Sequence, residues 1–316
     1  MKLQTQVPLS KVEHPIDYNS QMLLLGSCFV ENIGKKFSYY KFQTVQNPFG
    51  ILFHPLAIEK LISRAIGQNE YTEKDVFYLN ERWQCYDAHS DLSSVSRDQL
   101  VQNLNNGLSV TLDQIKKASH VIITLGTVWV YALKETAQEV ANCHKVPQRE
   151  FDKKILSVSE IVASLQNTIA QIKSVNAEVK IIFTVSPVRH LKDGFVENQL
   201  SKAHLLTAIH EVLKDGNAVY FPSYEIMMDE LRDYRFYADD MIHPNTMAVN
   251  YIWEQFKSVW VSDSIEPIMN DVDSIQKGLR HRPFNQESEQ HQKFTVNLER
   301  KIAYLQEEYS FMNFKK

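Results

Sequence analysis

The stretch Met22-Leu23-Leu24-Leu25-Gly26-Ser27-Cys28-Phe29 constrains the fold more than any other. A short apolar run stops at Gly-Ser-Cys, and a segment of helical character, Val30 to Phe37, follows at once. A buried strand that turns directly into a helix exposes the turn residue at the C-terminal edge of a sheet and aims helix N–H groups at it. An activated nucleophile needs such a place: the helix end favours its anion, and the turn backbone can bind an oxyanion. The turn offers a hydroxyl, Ser27, beside a thiol, Cys28. The same residues also fit an ordinary strand–helix turn with a buried cysteine.

The strand–helix alternation continues down the chain. Val121 to Leu125, closed by Gly126, is a second strand; Lys180 to Val185, ended by Ser186-Pro187, is a third; Ala218 to Phe221 is a last short one. Helical spacing marks Ala57 to Ile66, Ser96 to Ala118 and Glu197 to Leu213, the last with Leu200, Ala203, Leu206, Ile209 and Leu213 as its expected buried stripe. Ser157 and Glu160 form a capping-box pattern before a helix at Ile161 to Val175. Asn245 or Thr246 caps a helix to about Val259. Alternation of this kind predicts a parallel sheet covered on both faces. Val45 to Gly50 reads as a loop. Val76-Phe77-Tyr78 and Trp83 read as a hairpin on the sheet's edge, and Val128 to Leu133 with Glu139 to Ala141 as a further pair of short strands. Beyond Ser262 the pattern weakens, His281-Arg282-Pro283-Phe284 reads as a loop, and Glu289 to Tyr309 as a polar helix. The expected organisation is an α/β domain at 1–262 and a helical C-terminal extension at 263–316. That extension packs on the core or on another copy, which allows a homo-oligomer.

Charge and cysteine usage narrow the function classes. A formal net charge of −4 over 316 residues argues against a nucleic-acid partner. No apolar run approaches the length of a membrane span, and Met1 to Pro15 lacks the apolar core of a secretion signal. Three cysteines, Cys28, Cys85 and Cys143, suit reduced thiols in a cytoplasm. Glycine is sparse at 9 residues, so each is expected where the backbone requires one. Gly26, Gly50 and Gly126 sit at or near the ends of apolar runs, where a ligand meets an open α/β sheet.

A second chemical signal lies far downstream, in Asp239-Asp240-Met241-Ile242-His243-Pro244-Asn245. An Asp three residues before a His, in a loop held by Pro, can fix the imidazole's tautomer and stabilise its charged form. The segment follows the last strand and precedes the last core helix, so it belongs at the same edge as Gly26. A helix entry with surface charges is the plainer reading. Arg189 and His190 follow the third strand at that edge. They are candidates for substrate binding, the guanidinium on a carboxylate or phosphate and the imidazole on a hydroxyl; a loop ion pair of Arg189 with Asp193 is the alternative. Cys85, His89, Cys143 and His144 lack the usual zinc spacing, so no metal is expected. Trp83, Tyr86, Trp129 and Tyr131 fit either a sugar pocket or an edge-strand core. No Gly-rich phosphate loop is present, so no nucleotide cofactor is expected.

Gly26-Ser27-Cys28-Phe29, followed by Val30, resembles the motif that names the GSCFA-type domain. Asn47-Pro48-Phe49-Gly50, Thr124-Leu125-Gly126-Thr127, Ala141-Asn142-Cys143-His144-Lys145, Ser186-Pro187-Val188-Arg189-His190 and the Asp240…His243 pair resemble further segments of it, over about residues 20–260. The resemblance implies the SGNH (GDSL-like) hydrolase superfamily, with a flavodoxin-like three-layer α/β/α fold. Its members are mostly esterases or acyltransferases, many acting on acylated carbohydrates. By that resemblance Asp240 orients His243, and His243 takes the proton of the nucleophile. Aligning glycine with glycine makes Cys28 the nucleophile; a shift by one makes it Ser27. Gly50 or Gly126 is the implied oxyanion glycine. The family's Gly-x-Asn-Asp block is Gly126-Thr127-Val128-Trp129 here, so its oxyanion Asn is missing. Asn47 or Asn142 is left to substitute, or backbone donors carry the hole. Loss of one such donor costs about 10² to 10³ in rate. A thiolate at a helix N-terminus beside a histidine is expected to have a lowered pKa.

Two functions follow as expectations. One is a hydrolase or acyltransferase that needs no cofactor, acting on a small-molecule or carbohydrate acyl substrate. The other is a binding module on the same fold, with weakened catalysis and a pocket for a glycan or a partner.

Overall fold

A computed structural model describes residues 4–314. The strands in chain order are β1 (Gln21–Gly26), β2 (Gln43–Gln46), β3 (Phe77–Leu79), β4 (Arg82–Gln84), β5 (His120–Leu125), β6 (Trp129–Leu133), β7 (Glu139–Val140), β8 (Phe151–Ile155), β9 (Lys180–Val185) and β10 (Val219–Tyr220). The helices are α1 (Cys28–Tyr39), α2 (Pro55–Ile66), α3 (Arg97–Lys117), α4 (Val158–Val175), α5 (Phe195–Val212), the single turn α6 (Ser223–Glu225), α7 (Thr246–Trp260), α8 (Glu266–Arg280) and α9 (Glu289–Glu308).

Five strands pair in parallel in the order β10-β9-β5-β1-β2. The first two core strands run outward in one direction and the later ones in the other, which is flavodoxin-like winding. The switch point falls between β1 and β5, where Gly26 stands opposite Thr124. A parallel sheet buried on both faces needs apolar residues on both, and the strands divide accordingly. Leu23, Leu25, Val121, Ile123, Ile181 and Phe183 face one hydrophobic cluster with α2, α3, α4 and α5. Met22, Leu24, Ile122 and Ile182 face the other, with α1 and α7. The result is three layers, α/β/α.

Met269, Val272 and Ile275 of α8, with Leu305 of α9, Met312 and Phe314, are buried in that second cluster. The tail therefore docks on the core. α8 was not expected: its buried residues recur only every third position, at 269, 272 and 275, among mostly polar neighbours.

The loop expected at Val45 begins in fact as the edge strand β2. Residues 76–84 do form a hairpin, but β3 and β4 pair with each other, with a bridge from Trp83 to Ser94, and not with the central sheet. The pair β6–β7 forms, with β8 as an unforeseen third strand on the other side of β6. The largest revision concerns α5. Its buried face is Asn198, Ser201, Lys202, Leu205, Ala208, Ile209 and Val212, and Leu200 is exposed. The helix is rotated from the apolar reading because its N-terminal half lies over the ends of β5 and β9, where polar groups must be met.

Candidate active site

The turn after β1 is held by its backbone. Gly26 has φ +133°, and a Cβ there would lie 2.1 Å from the Thr124 carbonyl oxygen, so only glycine fits. Ser27 donates its N–H to Thr124 O at 3.0 Å, and Leu52 donates to Gly26 O at 3.0 Å. The Gly26 N–H donates to Asn47 Oδ1 at 2.9 Å. Asn47 itself is left-handed, φ +42°, a conformation asparagine tolerates. Because its Oδ1 must accept, its Nδ2 is the end left over, and that nitrogen is buried without a partner.

Ser27 is the N-cap of α1 but makes no side-chain cap, and its Oγ is buried and unpartnered. Cys28 opens the helix and is only half-buried. Burial pushes its thiol pKa up, Glu31 adds to the rise, and Lys202 and the N–H groups of Cys28 and Phe29 oppose it without prevailing. This corrects the expectation of a lowered pKa. The helix end contributes in the expected sense, but desolvation is the larger effect.

Both glycines expected to supply oxyanion N–H groups have spent them. Gly50 donates to Asn47 O at 2.7 Å, closing the 47–50 turn, and Gly126 donates to Phe53 O at 2.8 Å. These assignments are corrected: the donors that face the thiol are the N–H groups of Cys28 and Phe29.

The downstream loop is built around Asp240. Its Oδ1 accepts the N–H groups of Ile242 and His243, each at 2.9 Å, and its Oδ2 meets His243 Nδ1 at 2.6 Å. The bonds from the His243 N–H and imidazole, then that from the Ile242 N–H, hold the Asp240 carboxyl down at about 2. Nδ1–H thus belongs to Asp240, which leaves Nε2 as the basic nitrogen. Arg189 clamps this loop rather than reaching for an anion: its N–H donates to Ile242 O at 3.2 Å and its Nη1 to Met241 O at 3.0 Å. Phe195 and Tyr237 flank the guanidinium at 5.3 and 5.5 Å. Asp193 pairs with Lys153 at 2.6 Å, which removes the Arg189–Asp193 alternative.

Lys202 joins the two halves, and apolar periodicity passed it over. It is 1% exposed, and its Nζ donates to Gly126 O and Ser186 O, each at 2.7 Å. Burial lowers its pKa to about 7, partly opposed by Cys28. His190 is held far below its usual value, to about 3, by burial first, then by Lys202 and His243. Cys28, Lys202, His190 and His243 therefore lie within electrostatic reach of one another at one sheet edge. Among the described residues no hydrogen bond joins His243 to Cys28 or Ser27. The signal for Lys202 was present as the i, i+3, i+4 spacing of Asn198, Ser201 and Lys202, but it is a polar stripe.

Two other candidates lie elsewhere or are already engaged. Asn142 Oδ1 accepts the His144 N–H at 2.8 Å in a turn against Tyr86. Trp129 donates its indole N–H to Glu197 O at 3.2 Å, with Lys153 Nζ 4.5 Å over its ring. Among the described residues no three His, Cys, Asp or Glu side chains converge as metal ligands, and no helix is long and apolar enough to cross a membrane.

A five-stranded parallel sheet with flavodoxin-like winding, covered by helices on both faces, defines the chain as a doubly wound α/β protein. Residues 21–256 match the GSCFA family, and residues 272–316 match the GSCFA domain protein, C-terminal domain. The chain belongs to the GSCFA family. No curated protein matches the sequence. Among solved structures, it is similar to a carbohydrate esterase family 3 protein from Talaromyces cellulolyticus at 11% identity, over 79% of this chain and 99% of that one, with a TM-score of 0.36. An acetyl esterase mutant with acetate ion is similar at 14% identity, over 80% and 99%, with a TM-score of 0.32. At such scores the strand order, not the neighbours, is the ground for the fold.

Proposed function

We propose that this protein is an acyl-ester hydrolase or acyltransferase of SGNH type, with Cys28 as nucleophile, His243 as general base and acid, and Asp240 orienting His243. The observation that carries the reading is the Asp240–His243 Nδ1 bond at the same sheet edge as the Cys28 turn. Cys28 is preferred to Ser27 because Ser27 is 0% exposed, whereas Cys28 meets solvent at the helix end. His243 Nε2 takes the thiol proton as sulfur attacks the acyl carbonyl. The oxyanion forms against the N–H groups of Cys28 and Phe29. The tetrahedral intermediate collapses, the leaving oxygen takes the proton from His243, and a thioester remains. Water or an acceptor hydroxyl then gives its proton to His243 as its oxygen attacks the thioester carbonyl; the C–S bond breaks, the acyl group leaves on the new oxygen, and the Cys28 sulfur takes the proton back from His243. A raised thiol pKa makes this a proton-transfer mechanism rather than a preformed thiolate–imidazolium pair. Acylated carbohydrates are the substrate class that the family resemblance favours.

The absence of a His243–Cys28 hydrogen bond favours the second reading, a binding module with weak catalysis. Catalytic hydrogen bonds in unliganded sites are often long and tighten with substrate, so the enzyme reading is kept. Hydrolysis of p-nitrophenyl acetate separates the two. Wild type and Ser27→Ala are expected to turn over, and Cys28→Ala to lose at least about 10²-fold. Equal rates in wild type and Cys28→Ala would sink the assignment, and no turnover in wild type would favour binding.

A further inference from the structure

Among the described residues, five buried side-chain polar atoms have no hydrogen-bond partner, and three of them, Ser27 Oγ, Asn47 Nδ2 and His190 Nε2, belong to the residues around the β1 and β5 ends. Buried polar atoms are nearly always paired, so three orphans in one place mark a spot kept ready for a ligand. The position of His190 is the most telling. A Cβ on Gly126 would lie 3.0 Å from His190 Nε2 and 3.3 Å from Ser27 Cβ. Nε2 therefore looks across the bare Cα of Gly126 toward the nucleophile turn. Gly126 also opens the segment from which the side-chain oxyanion donor is missing.

We propose that His190 is a catalytic residue in its own right: its Nε2–H donates a hydrogen bond to the oxyanion of the tetrahedral intermediate, in place of the absent Asn. The proposal rests on the acyl-transfer reading above.

The ring is held in position. Its backbone N–H is bound to Asn198 Oδ1 at 2.8 Å, and its face meets Phe53 edge to face at 5.6 Å. The Phe53 carbonyl in turn receives the N–H groups of Gly126 and Thr127. Burial first, then Lys202 and His243 nearby, disfavour protonation of the ring. A neutral imidazole has one N–H and is a poor base at neutral pH, so it can polarise a carbonyl without competing with His243 for the proton. Sulfur attack moves the carbonyl π electrons onto oxygen, and the Nε2–H stabilises that charge without transferring its proton. The missing Cβ at 126 lets the ring come this close to the turn: a Cβ there would meet Nε2 at 3.0 Å and the Phe53 carbonyl oxygen and Ser27 Cβ each at 3.3 Å.

The test uses the full chain with p-nitrophenyl acetate as substrate and a trifluoromethyl ketone as a reversible tetrahedral-adduct former. His190→Ala is expected to lose about 10²-fold in kcat with KM changed less than about threefold, and to bind the ketone about 10²-fold more weakly. His190→Gln, which restores an N–H donor, is expected to recover at least tenfold of the lost kcat, which a purely structural role for the ring would not produce. If His190→Ala does not fold, Gly126→Ala carries the test. Its methyl would meet Nε2 at 3.0 Å and push the ring from its place, and is expected to lower kcat and ketone affinity together. Wild-type turnover with His190→Ala kept within threefold overturns the role of His190 alone. A wild type that neither cleaves the ester nor binds the ketone overturns the acyl-transfer reading and this proposal with it.

Discussion

Replacing His243 with alanine is expected to lower ester turnover by about 10³- to 10⁴-fold, equivalent to roughly 4 to 5.5 kcal/mol of barrier. The size follows from the state of the thiol. Burial and Glu31 raise its pKa against the pull of Lys202 and the helix N–H groups, so the resting site holds a thiol. Without Nε2 the proton must leave to bulk base. The residual rate of His243→Ala should therefore rise about tenfold per pH unit for as long as Cys28 stays protonated. Protein concentration and melting temperature should barely change, because the imidazole side chain is 43% exposed and touches the fold chiefly through Asp240. A pH–rate profile of the variant against wild type checks both statements. A variant rate that is near wild type, or flat with pH, contradicts them.

Lys202→Met is expected to be the most damaging change to stability around the site. Methionine fills similar space, but the carbonyls of Gly126 and Ser186 lose their 2.7 Å donors in a fully buried place. An unsatisfied buried polar group costs about 1–3 kcal/mol, so two together cost roughly 2–6 kcal/mol. Relief from desolvating a cation offsets part of this. The net effect is a melting temperature lower by about 2–6 °C and a looser Gly126 turn, with activity falling as well. Thermal denaturation followed by circular dichroism measures it. A variant that melts within 1 °C of wild type would mean that the two carbonyls find other donors.

The scaffold was legible where burial and local chemistry agree. The apolar runs of β1, β5 and β9 are continuous because both faces are covered. The Ser157–Glu160 capping box forms as its spacing requires, and so does the Asn245 cap of α7. The Asp240–His243 pair was readable because its hydrogen bonds are local, spanning three residues. What was missed depends on distant partners. Nothing near Lys202 in the chain reveals that two strand ends will present carbonyls to it. The Gly50 and Gly126 N–H groups appear available until the folded turns consume them. β8, with Asp152, Lys153 and Lys154 exposed, carries too little apolar pattern to stand out and forms because β6 offers it an edge. The thiol's pKa was misjudged for the same reason: the helix end is visible in sequence, and the depth of burial is not.

The most direct measurement is peptide-resolved mass spectrometry of the protein quenched in acid during turnover of p-nitrophenyl acetate. A single acetyl group is expected on the peptide that contains Cys28, removable by neutral hydroxylamine and absent from His243→Ala. No acetyl adduct on that peptide, or one that accumulates equally fast in His243→Ala, would contradict the roles given to Cys28 and His243.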